Sequence, residues 1–227
     1  MNTLIASRTV TPMQPWIHAH GAVSGSDVLD SIGTRMVVAR GHTLFYEGDD
    51  ADSIYRVISG ALRTSRLMPD GRRYVADFLF PGDFVALNDV AKRSTTADAL
   101  CDTILVRCSR RQFETKLEGD RGLGRMILSV LTGGLSSAQE RMLLLGRKSA
   151  AERVASFLLM MADRAGGNSI ELPMTRCDIA DYLGLTVETI SRTISHFKAR
   201  KFIRCQGATN LEIQQREALE DLATADV

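Results

Sequence analysis

The sequence is short of the features that mark secreted, membrane-spanning and metal-bound chains. Of its 227 residues only four are cysteine, Cys101, Cys108, Cys177 and Cys205; none lies in the first 100 positions and no two form a CxxC pair. That distribution argues against a disulfide framework or a zinc ribbon. It also argues against an iron–sulfur cluster held near the N-terminus, because such clusters usually need four thiolates. No apolar run nears the roughly 20 residues that cross a bilayer, and the opening MNTLIASRTVTPMQPWIHAHG lacks a basic start followed by an apolar core. The chain is therefore expected in the cytoplasm, with no membrane partner. Histidine is scarce too: only His18, His20, His42 and His196 occur, and none lies where the later strands of the first half would offer a haem ligand. His18 and His20 form an H-A-H pair that can bind a metal or stay as two unliganded surface side chains. Net charge is nearly absent, since 28 basic residues face 27 acidic ones. Any surface for nucleic acid must then be local and cannot be read from the total.

What is present divides the chain into two regimes. From about residue 27 to 110, short β-branched or aromatic runs alternate with turn signals: MVVAR at 36 to 40, TLFYEGDD at 43 to 50, SIYRVISG at 53 to 60, ALRTSRL at 61 to 67 and RYVADFLF at 73 to 80. Gly41, Gly48, Gly60, Asp70-Gly71 and Pro81-Gly82 punctuate them, which predicts a compact antiparallel roll or sandwich. Beyond residue 110 the apolar spacing changes. Leu123, Met126, Ile127, Val130, Leu131, Leu135, Ala138 and Met142 recur at steps of three and four, the period of one long striped helix. Such a stripe can pack on its own domain, or pair with a twin across a twofold axis through Leu123, Ile127, Val130, Leu131, Leu135, Ala138 and Met142. Gly133 and Gly134 in mid-helix predict a bend or a close helix approach. The domains are therefore expected as an N-terminal extension at 1 to 26, a β-roll at 27 to 118, a dimerisation helix at 119 to 146 and a DNA-binding unit at 147 to 227.

The last unit opens with Ser149, whose hydroxyl can cap a helix while Glu152 completes a capping box. Gly166 and Gly167 stop that helix, and SIELPM at 169 to 174 is expected to form a short strand. DIADYLGLTVETISR, residues 178 to 192, then reads as helix, turn, helix. Thr175 caps the first helix with Asp178 at its third position, Gly184 turns the chain, and Thr186 caps the second helix. Val187, Ile190, Ile194 and Phe197 predict that helix's buried stripe. Thr186, Glu188, Thr189, Ser191, Arg192 and Ser195 avoid it and gather at the end that enters the major groove in motifs of this kind. Arg192 can donate two hydrogen bonds to guanine, Glu188 can accept from cytosine, and Ser191 can meet a thymine methyl or a phosphate. The alternative is that Glu188 and Arg192, four apart, make only a surface ion pair. Between residues 173 and 206, Arg176, Arg192, Lys198, Arg200, Lys201 and Arg204 face only Asp178, Asp181 and Glu188. Thr175, Arg176, Thr186, Thr189, Ser195 and Lys198 are the candidates for contact with the DNA backbone. FIRCQGATNLEIQQ predicts two short strands around Gly207, the wing of a winged helix, with a helical tail after it. Cys177, at the second position of the first motif helix, is a candidate redox switch beside DNA or else a small buried filler.

A glycine-punctuated roll, a striped helix and a winged helix-turn-helix in that order resemble the CRP/FNR family of bacterial transcription regulators, an α+β architecture. GDFVALNDV at 82 to 90, MLLLGRKSAAERVASFL at 142 to 158 and LTVETISR at 185 to 192 carry the likeness. The resemblance implies a homodimer that recruits RNA polymerase and has no enzymatic activity. Glu188, Ser191 and Arg192 match the E-x-x-S-R helix that reads TTGAT-type half-sites of an inverted repeat in the FNR and FixK branches, so FixK-like control of low-oxygen or nitrogen-fixation genes is implied. Members that bind cyclic AMP use a glutamate for the ribose and an arginine for the phosphate. Here Arg93 and Ser94 can supply the second part, but Ala86 and Leu87 stand near the place of the first, and leucine accepts no hydroxyl hydrogen bond. No cofactor is expected; a regulator of the same architecture that responds to a small molecule is the alternative.

Overall fold

The computed structural model describes residues 29 and 31 to 224, with 208 excepted. The N-terminal extension with its His18 and His20 pair therefore lies outside the described residues. Eight strands make the first half: β1 (Thr34–Val38), β2 (Thr43–Phe45), β3 (Ser53–Ser59), β4 (Leu62–Leu67), β5 (Arg73–Leu79), β6 (Phe84–Val85), β7 (Thr96–Ala99) and β8 (Thr103–Ser109). They pair antiparallel in two four-stranded sheets, ordered β1-β8-β3-β6 and β2-β7-β4-β5. Phe45, Tyr55, Val57, Leu62, Val85 and Leu105 fill the space between the sheets. Alternating burial, clearest along β7 and β8, makes this a roll with one face inward, as the sequence predicts.

One local expectation needs correction. The TLFYEGDD run stops being a strand at Phe45, because the Asp49 carboxylate accepts from the Tyr46 amide at 2.8 Å and turns the chain. The roll domain expected to 118 ends in a short helix, α1 (Arg110–Gly119), and the long helix expected at 119 to 146 is α2 (Arg121–Arg147). Asp120 separates them: it takes an extended conformation and its Oδ1 accepts from the amides of Gly122 and Leu123 at 2.9 and 3.0 Å. A side chain that satisfies two otherwise unpaired amides starts a new helix. Helix α2 itself runs unbroken through Gly133 and Gly134.

Close approach makes glycine obligatory at position 60, between β3 and β4. Its φ is +89°, and a Cβ there would lie 2.5 Å from Thr103 Oγ1 and 2.6 Å from the Asp102 carbonyl.

The second half holds α3 (Ala150–Ala165), β9 (Ser169–Glu171), α4 (Arg176–Leu183), α5 (Val187–Ala199), β10 (Ile203–Gln206), β11 (Asn210–Ile213) and α6 (Arg216–Thr224). Ser149 and Glu152 form the complete capping box, and Gly166 closes α3 in the left-handed conformation, as expected. Strands β10, β11 and β9 form a small antiparallel sheet with Gly207 in the turn of the wing. The core of this half is not its own alone. Ala61, Val75, Phe78 and Phe80 of the roll belong to the same buried cluster as Phe157, Met161, Ile179, Leu183, Ile190 and Phe197.

Candidate nucleic-acid interface

The motif is built from α4, the turn at Gly184 and α5. Thr175 and Asp178 cap α4 reciprocally: Asp178 N donates to Thr175 Oγ1 at 3.2 Å, and Asp178 Oδ2 accepts from the Thr175 amide and hydroxyl at 2.9 and 2.8 Å. Burial pushes the Asp178 carboxyl pKa up, but the hydrogen bonds from Thr175 and the Arg63 guanidinium outweigh it and hold the group below its ordinary value. Gly184 ends α4 at φ +63°, a conformation that costs other residues about 1 kcal/mol or more. Thr186 then caps α5, its Oγ1 accepting from the Thr189 amide at 3.1 Å.

Helix α5 divides its residues as the spacing requires. Ile190 and Phe197 are wholly buried and Ile194 nearly so, packing toward α4 and α3. Val187 is the exception to the predicted stripe: 40 % exposed at the first position of the helix, it lies too far forward to reach the core. On the outer face Thr186, Glu188, Arg192, Ser195 and Lys198 are exposed, while Thr189 and Ser191 are half-buried. Arg192 Nη2 lies 2.5 Å from Glu188 Oε1. Their side chains are 79 % and 69 % exposed, so the pair contributes only a few tenths of a kcal/mol and can open towards a stronger acceptor. Arg176 and Cys177 at the start of α4 are exposed as well, which removes the buried-filler reading of the thiol. Thr175 is less free than its position suggests, because the cap engages both its amide and its hydroxyl.

Three arginines outside the motif turn out to hold it, and sequence reasoning found none of them. Arg153 on α3 donates to the carbonyls of Lys148 at 2.9 Å, Leu145 at 2.8 Å and Leu183 at 3.1 Å. One guanidinium thus joins the end of α2, the α2–α3 joint and the C-terminus of α4, where helix carbonyls lack partners. Arg63 and Arg73 of the roll cover Asp178 and Asp181. With those two carboxylates neutralised, the exposed surface of the motif is more cationic than its residue count implies.

The stripe on α2 is likewise divided by the structure. Leu123, Met126 and Ile127 are buried against Leu29, Ile54, Val106 and Phe113, so Leu123 and Ile127 belong to the chain's own core and not to an open pairing face. Leu128, Val130, Leu131, Leu135, Ala138, Met142 and Leu143 are exposed. Among them Leu128, Leu131, Leu135, Ala138 and Met142 step by three, four, three and four, the spacing that coiled-coil seams require. Leu128 was legible in that spacing and went unnoticed.

Inside the roll, Arg93 points into the core. Its Nη2 donates to the Ser53 carbonyl at 2.7 Å, its guanidinium carbon lies 4.4 Å from the centre of the Phe45 ring, and Nη1 is 3.6 Å from Asp89 Oδ2. The amide and hydroxyl of Ser94 donate to the other Asp89 oxygen at 3.1 and 2.7 Å. Ala86 takes φ +61°, a conformation usual for glycine. Among the described residues, no three or more His, Cys, Asp or Glu side chains converge as a metal site, and no helix is long and apolar enough to cross a membrane.

Comparison with known proteins agrees with both halves. Residues 35–120 match the family model described as a cyclic nucleotide-binding domain, and residues 152–222 match that of a Crp-like helix-turn-helix domain. The chain is 37 % identical over 193 residues to the nitrogen fixation regulation protein FixK of Rhizobium meliloti, covering 84 % of this chain and 88 % of that one. It is 35 % identical to the transcriptional activator protein FnrL of Cereibacter sphaeroides, over 74 % of this chain and 71 % of the other. Among solved structures, FixK2 from Bradyrhizobium japonicum superposes with a TM-score of 0.82 at 36 % identity, covering 86 % of this chain and all of the other.

Proposed function

We propose a function from one premise: the chain belongs to the CRP/FNR family of transcription regulators, on its FixK-like branch, and is a DNA-binding regulator rather than an enzyme. It acts as a homodimer that binds an inverted repeat with TTGAT-like half-sites in double-stranded DNA and recruits RNA polymerase. Arg192, Glu188 and Ser191 read base edges. Arg176, Thr186, Thr189, Ser195, Lys198 and the start of α4 at Thr175 hold the phosphates. The observation that carries this reading is the shared outer face of Glu188, Ser191 and Arg192 on a helix capped at its groove-entering end. The exposed seam at Leu128, Leu131, Leu135, Ala138 and Met142, with exposed Val130 beside it, supports pairing through α2.

The roll works without cyclic nucleotide, iron–sulfur cluster or other cofactor. The support is Arg93, the arginine that would hold a phosphate: it is 3 % exposed, stacked on Phe45 and already opposite a carboxylate. Opening that site would strand Asp89 as well as free Arg93. The rival reading, a regulator of the same architecture that responds to a small molecule, is tested by thermal shift with cyclic nucleotides, where a rise in melting temperature would favour it. Control of low-oxygen or nitrogen-fixation genes is the physiological role that the FixK-like relationship supports. Selection of bound sites from random duplex DNA tests the main proposal. A palindrome with TTGAT-like arms is expected; recovery of no preferred sequence, or of an unpaired site by a monomer, refutes it.

Cys177 adds a redox response to this function. Its thiol is exposed next to Arg176 at the start of α4, the end that the proposed reading turns towards DNA, and peroxide would oxidise it to a sulfenic acid with release of water. Peroxide should then weaken DNA binding by the natural chain and not by Cys177→Ser; equal loss in both proteins removes the switch.

A further inference from the structure

Two arginines carry the roll into the reading motif. Arg63 on β4 sits between two carboxylates, its Nη2 2.6 Å from Asp98 Oδ2 and its Nη1 2.5 Å from Asp178 Oδ1. Arg73, the first residue of β5, places Nη2 2.7 Å from that same Asp178 oxygen, and Nη2 and Nε 2.7 and 2.8 Å from Asp181 Oδ2. The two strands pair from Leu62↔Leu79 to Leu67↔Arg73, so a single hairpin presents both guanidinium groups. Asp178 is 2 % exposed and both its oxygens are engaged: Oδ2 caps α4 through Thr175, and Oδ1 takes the two arginines. The cap of the first motif helix and the joint to the roll are one carboxylate.

An apolar platform lies behind this joint. Tyr182 on α4 packs its ring 5.1 Å from Phe78 of β5 and 5.8 Å from Phe157 of α3, centre to centre. Arg141, from the C-terminal half of α2, lies 4.3 Å above the same ring and reaches the Asp77 carboxylate at 3.3 Å. The rings meet tilted, at 38° and 58°, and their burial fixes how closely α4 approaches the hairpin. Charge-assisted hydrogen bonds from planar guanidinium groups have direction as well as strength. On such a platform the arginine–aspartate contacts set the angle of α4. Helix α5 packs on α4, so the same angle sets where Glu188, Ser191 and Arg192 point. The requirement is strict in a twofold dimer, whose two reading helices must meet grooves about 34 Å apart.

We propose that Arg63 and Arg73 are positioning residues for DNA reading: through Asp178 and Asp181 the β4–β5 hairpin holds the first motif helix at the angle at which the second enters the groove. The roll then serves as a scaffold for the reading head. This inference rests on the proposed DNA reading.

The test compares the full-length natural chain with Arg73→Asp and with the exchange Arg73→Asp/Asp181→Arg, by fluorescence anisotropy on a duplex that the natural chain itself has selected. Thermal melting accompanies each protein. Arg73→Asp should bind at least tenfold more weakly, and the exchange should return to within threefold of the natural chain. Binding by Arg73→Asp at full strength overturns the proposal. So does an exchange variant as weak as the single one, because position 73 would then act through its own charge near phosphate and not through α4. If Arg73→Asp fails to fold, Arg73→Gln takes its place with a loss of at least threefold expected, and unchanged affinity overturns the proposal equally. Failure of the natural chain to select any duplex is a different result, which removes the DNA-reading proposal itself.

Discussion

Asp89–Arg93 in the roll and Glu188–Arg192 on α5 are the same pair twice: a carboxylate and a guanidinium four residues apart. In the roll both side chains are at most 2 % exposed, whereas on the helix they are 79 % and 69 % exposed for arginine and glutamate. A buried guanidinium cannot be separated from its carboxylate without leaving a bare charge in a medium of low polarity, so the first pair is structural. In water the separation costs little, and the second pair can exchange its partner for a base. Solvent exposure, and not residue identity, ties one arginine to the fold and leaves the other free for the proposed recognition.

The comparison can be broken most forcefully inside the roll. Asp89→Ala should cost about 3–5 kcal/mol by denaturant unfolding, since it strands Arg93; a loss below about 1 kcal/mol would mean that the pair is solvated after all. On the helix the effect should appear in binding instead. Arg192→Ala is expected to relax preference at one base by roughly 1–3 kcal/mol while changing stability by less than about 0.5 kcal/mol, read from titrations against single-base variants of the selected site. Lys198→Ala sharpens the contrast, because it should weaken all sequences alike and lower the salt slope by about one charge. A smaller effect belongs to Ala86, held at φ +61°. Ala86→Gly should raise stability by about 1 kcal/mol in thermal melts, and no gain would show that the strain is relieved locally. Smallest of all, a double-mutant cycle on folding stability for Glu188 and Arg192 should give a coupling of about 0.3–0.5 kcal/mol. A coupling of several kcal/mol would make that pair structural and withdraw it from base reading.

The helix-turn-helix was legible because its signals are local. Thr175 with Asp178, Gly184, Thr186 and the 190/194/197 stripe each act over at most one or two turns, and the structure shows every one of these caps and burials. The roll could be read as alternating strands for the same reason. What went unread came in two kinds. Asp120 was a local signal, a capping aspartate just ahead of the stripe that begins at Leu123, and it fixes the start of α2. Leu123 and Ile127 were a non-local failure: periodicity identifies the apolar face of α2, but only the presence of Ile54, Val106 and Phe113 decides which part of that face is already covered.

The sequence by itself determined the elements, their order and the polar face of the second motif helix, because caps, turns and periodicity are set by neighbours within a few residues. Tertiary structure decided how those elements are joined and which charges remain available. Arg63 and Asp178 are 115 residues apart, Arg73 and Asp181 are 108 apart, and no spacing rule connects them. Burial of one ion pair and exposure of the other followed from where the chain packed, since the polarity around a charge is a property of the assembled core and not of the residues beside it in sequence.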